Sequence, residues 1–130
     1  IFKAAAVADY TPKEKKEEKM KKGGDNICME LTRTGDILAH IGKIKQPGQF
    51  VCGFSMETKD MVENSRRKLE NKNLDMIVAN NLKEAGAGFA NDTNIVTIIT
   101  PDGEKQLPLL SKEETALCII DEALRRWNRA

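Results

Sequence analysis

Apolar residues fall along this chain in short runs separated by polar, turn-forming clusters, and the spacing inside each run assigns an element. Phe2 to Ala8 is a continuous small and apolar run of strand length, closed by Asp9, Tyr10, Thr11 and Pro12, which predicts a buried strand. Ile27, Met29 and Leu31 alternate with Cys28, Glu30 and Thr32, the period-two pattern of a strand with one polar face. Thr34, Gly35 and Asp36 then cap a short helix with apolar positions Ile37, Leu38, Ile41 and Ile44, ended by Pro47 and Gly48. Phe50 to Phe54 predicts a strand, and the recurrence of Met61, Ser65 and Leu69 predicts a helix after Thr58. Met76 to Ala79 reads as a third buried strand before Asn80 and Asn81. Ile95 to Ile99 and Gln106 to Leu110 flank Pro101-Asp102-Gly103, which predicts a hairpin. Ser111 and Glu114 have capping-box spacing ahead of a last helix, whose stripe Leu117, Ile120, Leu124 and Trp127 is expected to be its buried face. Strand and helix mostly alternate, which predicts an α/β sheet with helices on its faces, ending in a hairpin and a helix.

Composition narrows the function. The 130 residues suit one folded unit, and 40% apolar with 32% charged residues is a globular composition. No run approaches the ~18 apolar residues of a membrane span. A net charge of +1 provides no global field for nucleic acid or anionic lipid. Cys28, Cys52 and Cys118 form no CxxC or CxxH spacing and read as reduced core thiols of a cytoplasmic protein. The chain begins at Ile1, without Met and inside an apolar run, and is read as a fragment.

The candidate chemistry lies just beyond the apolar runs, because open α/β sheets bind ligands outside the carboxyl ends of their strands. Asp9, Glu57 and Asn80 occupy such positions; each taken alone also suits an ordinary turn or cap. The run Ala5-Ala6-Val7-Ala8-Asp9-Tyr10 sets small residues where backbone can approach a flat ligand, and its carboxylate suits a divalent cation or a nucleotide hydroxyl. From Lys13 to Lys22 the chain carries six Lys and three Glu, then Gly23 and Gly24; this predicts a surface loop whose Lys19-Met20-Lys21-Lys22 suits phosphate oxygens or plain solvation. Gly35-Asp36-Ile37-Leu38 opens a helix, where free N–H groups attract anions although Asp36 opposes that. Gly53-Phe54-Ser55-Met56-Glu57-Thr58 leads from a strand into a helix carrying Lys68 and Lys72 on one face.

Together, AAVADY, KMKK ten residues beyond its Asp, GDIL, and GFSMET followed by RRKLENKNLDMIVAN resemble bacterial phosphopantothenate-cysteine ligase, from the first residues to about Trp127. The resemblance implies a Rossmann-like three-layer fold whose N-terminal βαβ part is absent here, so that residues 1–130 are the C-terminal part of one ligase domain. It implies that Lys3, Ala4, Ala5 and Asp9 belong to the nucleotide site, and that Lys19 serves a later catalytic step. Gly35, Asp36, Ile37 and Leu38 are expected around base and ribose, and Phe54, Lys68 and Lys72 supply further nucleotide contacts. Thr34-Gly35 stands where the family usually has Asn-Pro, which leaves backbone contacts but puts the Asn side chain's role in doubt. The implied activity joins 4'-phosphopantothenate and cysteine through a CTP-derived acyl-cytidylate, with Mg²⁺ at the phosphates and Asp9 as a candidate ligand. FMN is not expected in this segment, and a homodimer is, with the Pro101-Asp102-Gly103 hairpin as a meeting place.

Two other readings use the same residues: an ATP-using variant, and a noncatalytic nucleotide-binding or assembly module. A nucleic-acid binder built on Lys13 to Lys22 is disfavoured by Glu14, Glu17 and Glu18 and by the lack of stacking aromatics.

Overall fold

A computed structural model of the chain describes residues 1–19, 23–24, 26–57, 59–81 and 92–128. In chain order the elements are β1 (Phe2–Lys3), β2 (Tyr10–Pro12), β3 (Leu31–Arg33), α1 (Ile37–Ile44), β4 (Cys52–Glu57), α2 (Met61–Asn71), β5 (Met76–Asn81), β6 (Thr93–Asn94), β7 (Val96–Thr100), β8 (Gly103–Gln106), β9 (Leu110–Ser111) and α3 (Lys112–Trp127). The chain packs as two compact units, one of Ile1–Ala4 with Leu38–Ala130 and one of Ala5–Ile37.

The larger unit is an α/β layer structure on a five-stranded sheet of order β1-β4-β5-β7-β8. β1, β4 and β5 run parallel, while β7 and β8 are antiparallel additions. Strand alternation splits the apolar residues between two cores. Cys52, Met76, Val78, Val96 and Ile98 face α3 through Ile119 and Ala123. Val51, Ile77, Ala79 and Ile99 face α1 and α2 through Leu38 and Leu69. Both faces of β5 are therefore dry, and each fully buried aliphatic side chain contributes about 1.5–3 kcal/mol. β6 and β9 form a separate two-stranded pair before α3.

Close approach explains two glycines. At Gly53 a Cβ would come within 2.7 Å of Leu38 Cδ2, and at Gly42 it would overlap the Lys72 carbonyl, so side chains there would push α1 off the sheet and off the end of α2. Asp75 sets the start of β4: its Oδ2 accepts from the Val51 N–H at 2.7 Å and its Oδ1 from Lys45 Nζ at 3.0 Å.

Several expectations change. The first strand is only Phe2–Lys3, the two residues in ladder register with Cys52 and Gly53 of β4; Ala4 to Ala8 are exposed and outside any strand. Cys28, Met29 and Leu31 are exposed as well, since among the described residues β3 pairs with β2 alone, in a two-stranded ribbon too small to bury a face. In the hairpin, β8 begins directly at Gly103 rather than at Gln106. α3 is turned away from the expected orientation: Thr115, Ile119 and Ala123 are buried, whereas Leu117, Ile120, Leu124 and Trp127 are exposed. Thr58 and the segment Met20 to Lys22 lie outside the described residues.

Candidate functional site

Parallel β1, β4 and β5 bring their carboxyl ends to one edge of the sheet, with Lys3, Glu57 and Asn81 as the last strand residues. Alternation then sorts the side chains by face. Lys3 lies opposite Gly53, and Ser55 opposite Ala79, on the α2 side; Phe54 lies opposite Val78, on the α3 side. α2 delivers Lys68 to the first of these faces. Its Nζ lies 2.5 Å from Glu57 Oε1 and 3.4 Å from Ser55 Oγ, and the Ser55 hydroxyl lies 3.3 Å from the same carboxylate. Glu57 is mostly shielded and Lys68 half-exposed, so the ammonium is held at the strand ends with one side open.

The expected residues fare differently. Lys68 occupies the strand-end edge. Lys72 stands just past α2 as its C-cap, with φ of −105°, so the two lysines do not continue on one helical face. Phe54 is exposed, but the sheet separates its face from that of the Lys68 group. Leu38 is buried over Gly53, leaving its backbone rather than its side chain for a ligand.

In the smaller unit, the Thr34 N–H donates to the Asp9 carbonyl at 3.0 Å and the Thr34 hydroxyl to the Ala8 carbonyl at 2.6 Å. These bonds bring Asp9 beside the Thr34-Gly35-Asp36 segment, with Gly35, Asp36 and Ile37 exposed at the start of α1. Ala4, Ala5 and Lys19 are exposed outside any element. Among the described residues, no group of three or more His, Cys, Asp or Glu gathers in a metal-binding cluster.

Glu57 and Ser55 were under-weighted in the sequence. Their signal is the alternation Gly53, Ser55, Glu57 on the strand face that precedes a lysine-bearing helix. Asn80, at the end of β5, has a buried Oδ1 without a hydrogen-bond partner among the described residues, which marks it as a second polar group at this edge.

A mixed α/β sheet with charged and polar groups gathered at the carboxyl ends of its parallel strands defines an α/β domain of the doubly wound type, a class in which ligands bind beyond those strand ends. The family described as the DNA/pantothenate metabolism flavoprotein C-terminal domain matches residues 1–126, and the chain belongs to it. It is 49% identical over 123 residues to the coenzyme A biosynthesis bifunctional protein CoaBC of Bacillus subtilis, covering 94% of this chain and 30% of that protein. A cysteine/cysteine sulfinic acid decarboxylase from an unknown prokaryotic organism is 44% identical over 122 residues, covering 93% of this chain and 34% of that one. The crystal structure of the C-terminal domain of a CoaBC protein superposes with a TM-score of 0.72 at 36% identity, over 97% of this chain and 53% of that one. The chain thus spans about a third of the curated relatives and about half of the solved domain. No helix among the described residues is long and apolar enough to cross a membrane.

Proposed function

We propose that this chain is the nucleotide-handling part of a phosphopantothenate-cysteine ligase of coenzyme A synthesis, using CTP. The observation that carries the reading is the 49% identity to CoaBC along nearly the whole chain, together with a lysine fixed at the strand ends where such sheets take ligands.

In the proposed reaction the carboxylate of 4'-phosphopantothenate attacks the α-phosphorus of CTP. Pyrophosphate leaves and an acyl-cytidylate forms. The cysteine amine then attacks the activated carbonyl, loses a proton, and expels CMP. Lys68, oriented by Glu57 and Ser55, offers its open side to phosphate oxygens, and positioning supplies much of the barrier reduction. Lys19 acts in the second half. Lys3, Ala4, Ala5, Asp9, Gly35, Asp36, Ile37, Leu38, Phe54 and Lys72 are the remaining proposed nucleotide contacts.

Mg²⁺ fits a site of this chemistry, because it binds through one or two carboxylates plus substrate phosphates rather than in an all-protein cage. Asp9 is the proposed carboxylate, and the ion would offset triphosphate charge. The family description mentions a flavoprotein, but we assign no FMN to this segment. No covalent enzyme nucleophile is needed, so the three cysteines take no part in the proposed reaction.

The test is pyrophosphate release by the complete polypeptide given 4'-phosphopantothenate and each nucleoside triphosphate in turn. Release fastest with CTP is expected. Faster turnover with ATP overturns the nucleotide assignment, and binding without release under every nucleotide overturns the ligase reading in favour of a noncatalytic module.

A further inference from the structure

The ribbon of β2 and β3 pairs Pro12 with Leu31, Thr11 with Thr32 and Tyr10 with Arg33. One step further, Asp9 and Thr34 would exchange two bonds, each N–H to the other's carbonyl, because closely and widely spaced bond pairs alternate along an antiparallel ladder. The first of these forms: the Thr34 N–H donates to the Asp9 carbonyl at 3.0 Å. In place of the second, the Thr34 hydroxyl donates to the Ala8 carbonyl at 2.6 Å.

That exchange of partners fixes a peptide. The Ala8 carbonyl and the Asp9 N–H belong to one planar trans unit and point in opposite directions. Thr34 faces the carbonyl side, so the Asp9 N–H, which a continuing ladder would turn toward Thr34, is turned away from it. Two successive carbonyls, of Ala8 and Asp9, thus converge on one residue. An extended strand points them to alternate sides, and the chain accordingly bends at Asp9.

Packing does not hold this bend. Ala5 to Asp9 are exposed, and a Cβ at Gly35 would meet no atom within 4 Å. Gly35 also lacks the fixed φ of the proline that usually stands there in the ligases this chain resembles. Two bonds from Thr34, a half-buried residue, therefore set the backbone on which Asp9 is presented.

We propose that Thr34 is a positioning residue for Asp9: its hydroxyl keeps the Ala8–Asp9 peptide turned, so that the outward Asp9 N–H and the Asp9 carboxylate are offered together to the nucleotide. The inference rests on the nucleotide-handling role proposed for the chain, and it adds a residue that touches no ligand itself.

The test is calorimetric titration of the complete polypeptide with CTP and, in parallel, with ATP, each with Mg²⁺. Thr34→Val keeps the β-branched shape and removes the hydroxyl; it should weaken binding about tenfold, and Thr34→Ser should restore it. Thr32→Val, on the same ribbon but away from Asp9, should bind as the unsubstituted polypeptide does. Thr34→Ala gives the same comparison should the valine variant fold poorly. Thr34→Val and Asp9→Asn should combine to clearly less than the product of their separate effects, because both act through Asp9. Unweakened binding by Thr34→Val overturns the proposal. So do a serine variant that fails to rescue, an equal loss with Thr32→Val, and a full product with Asp9→Asn. An unsubstituted polypeptide that binds neither nucleotide overturns the nucleotide-handling role itself, and this proposal with it.

Discussion

At the scale of single residues, environment separates three chemically identical thiols. Cys52 is fully buried between β1 and β5, and burial pushes its thiol up to about 12, whereas Cys28 is exposed. A thiol that is neither accessible nor ionised is inert. Native labelling with iodoacetamide, followed by mass spectrometry, should modify Cys52 at least about a hundredfold more slowly than Cys28; comparable rates would contradict the packing around β4. The sequence identified Cys52 as a core residue from its apolar run, but assigned Cys28 the same surroundings, because alternation in a run does not say whether any layer exists to cover it. Lys68 shows the same limit. Its residue type and helix were legible, but its partners Glu57 and Ser55 come from a strand whose facing is set only when the sheet forms.

At the scale of elements, α3 begins where its sequence says it should. The Ser111 hydroxyl accepts from the Glu114 N–H at 3.2 Å, while Glu114 Oε2 accepts from the Ser111 N–H at 2.9 Å. The bond from the Ser111 hydroxyl, with that from its backbone, holds the Glu114 carboxyl below the ordinary 4.5. A depressed folded-state value means that this contribution to stability is present above the ordinary value and lost as pH falls through the lower, folded one. Thermal midpoints measured by circular dichroism should therefore fall as pH drops below the ordinary 4.5 and through the lower, folded value, and Glu114→Gln should flatten that decline. An unchanged acid limb in the variant would remove Glu114 from the effect. The same helix shows where pattern reading stops. Its amphipathic stripe was visible, but it is Ile119 and Ala123, with Cys118 beside them, that pack against this sheet, while Leu117, Ile120, Leu124 and Trp127 are exposed.

At the scale of the whole molecule, the proposed activity belongs to a longer polypeptide, since this chain covers 30% of the CoaBC protein it resembles. The division of labour between the two half-reactions is tested there. In the complete polypeptide, Lys19→Gln should leave pyrophosphate release intact and slow formation of the cysteine product by about tenfold or more. Quenched-flow assays of both products would check it, and an unchanged rate of product formation would remove Lys19 from the second step.

The sequence by itself determined the α/β class, the buried strands β5 and β7, the helices α1, α2 and α3, the capping box of α3, and the family. All of these follow from local periodicity and from motifs that read without their surroundings. Only the tertiary structure decided that β1 is two residues long, that Phe54 and Lys68 lie on opposite faces of the sheet, and that Leu117, Ile120, Leu124 and Trp127 of α3 are exposed while Ile119 and Ala123 are buried. Those features depend on which strand is an edge and which face has a covering layer, and that is set by contacts between residues far apart in the chain.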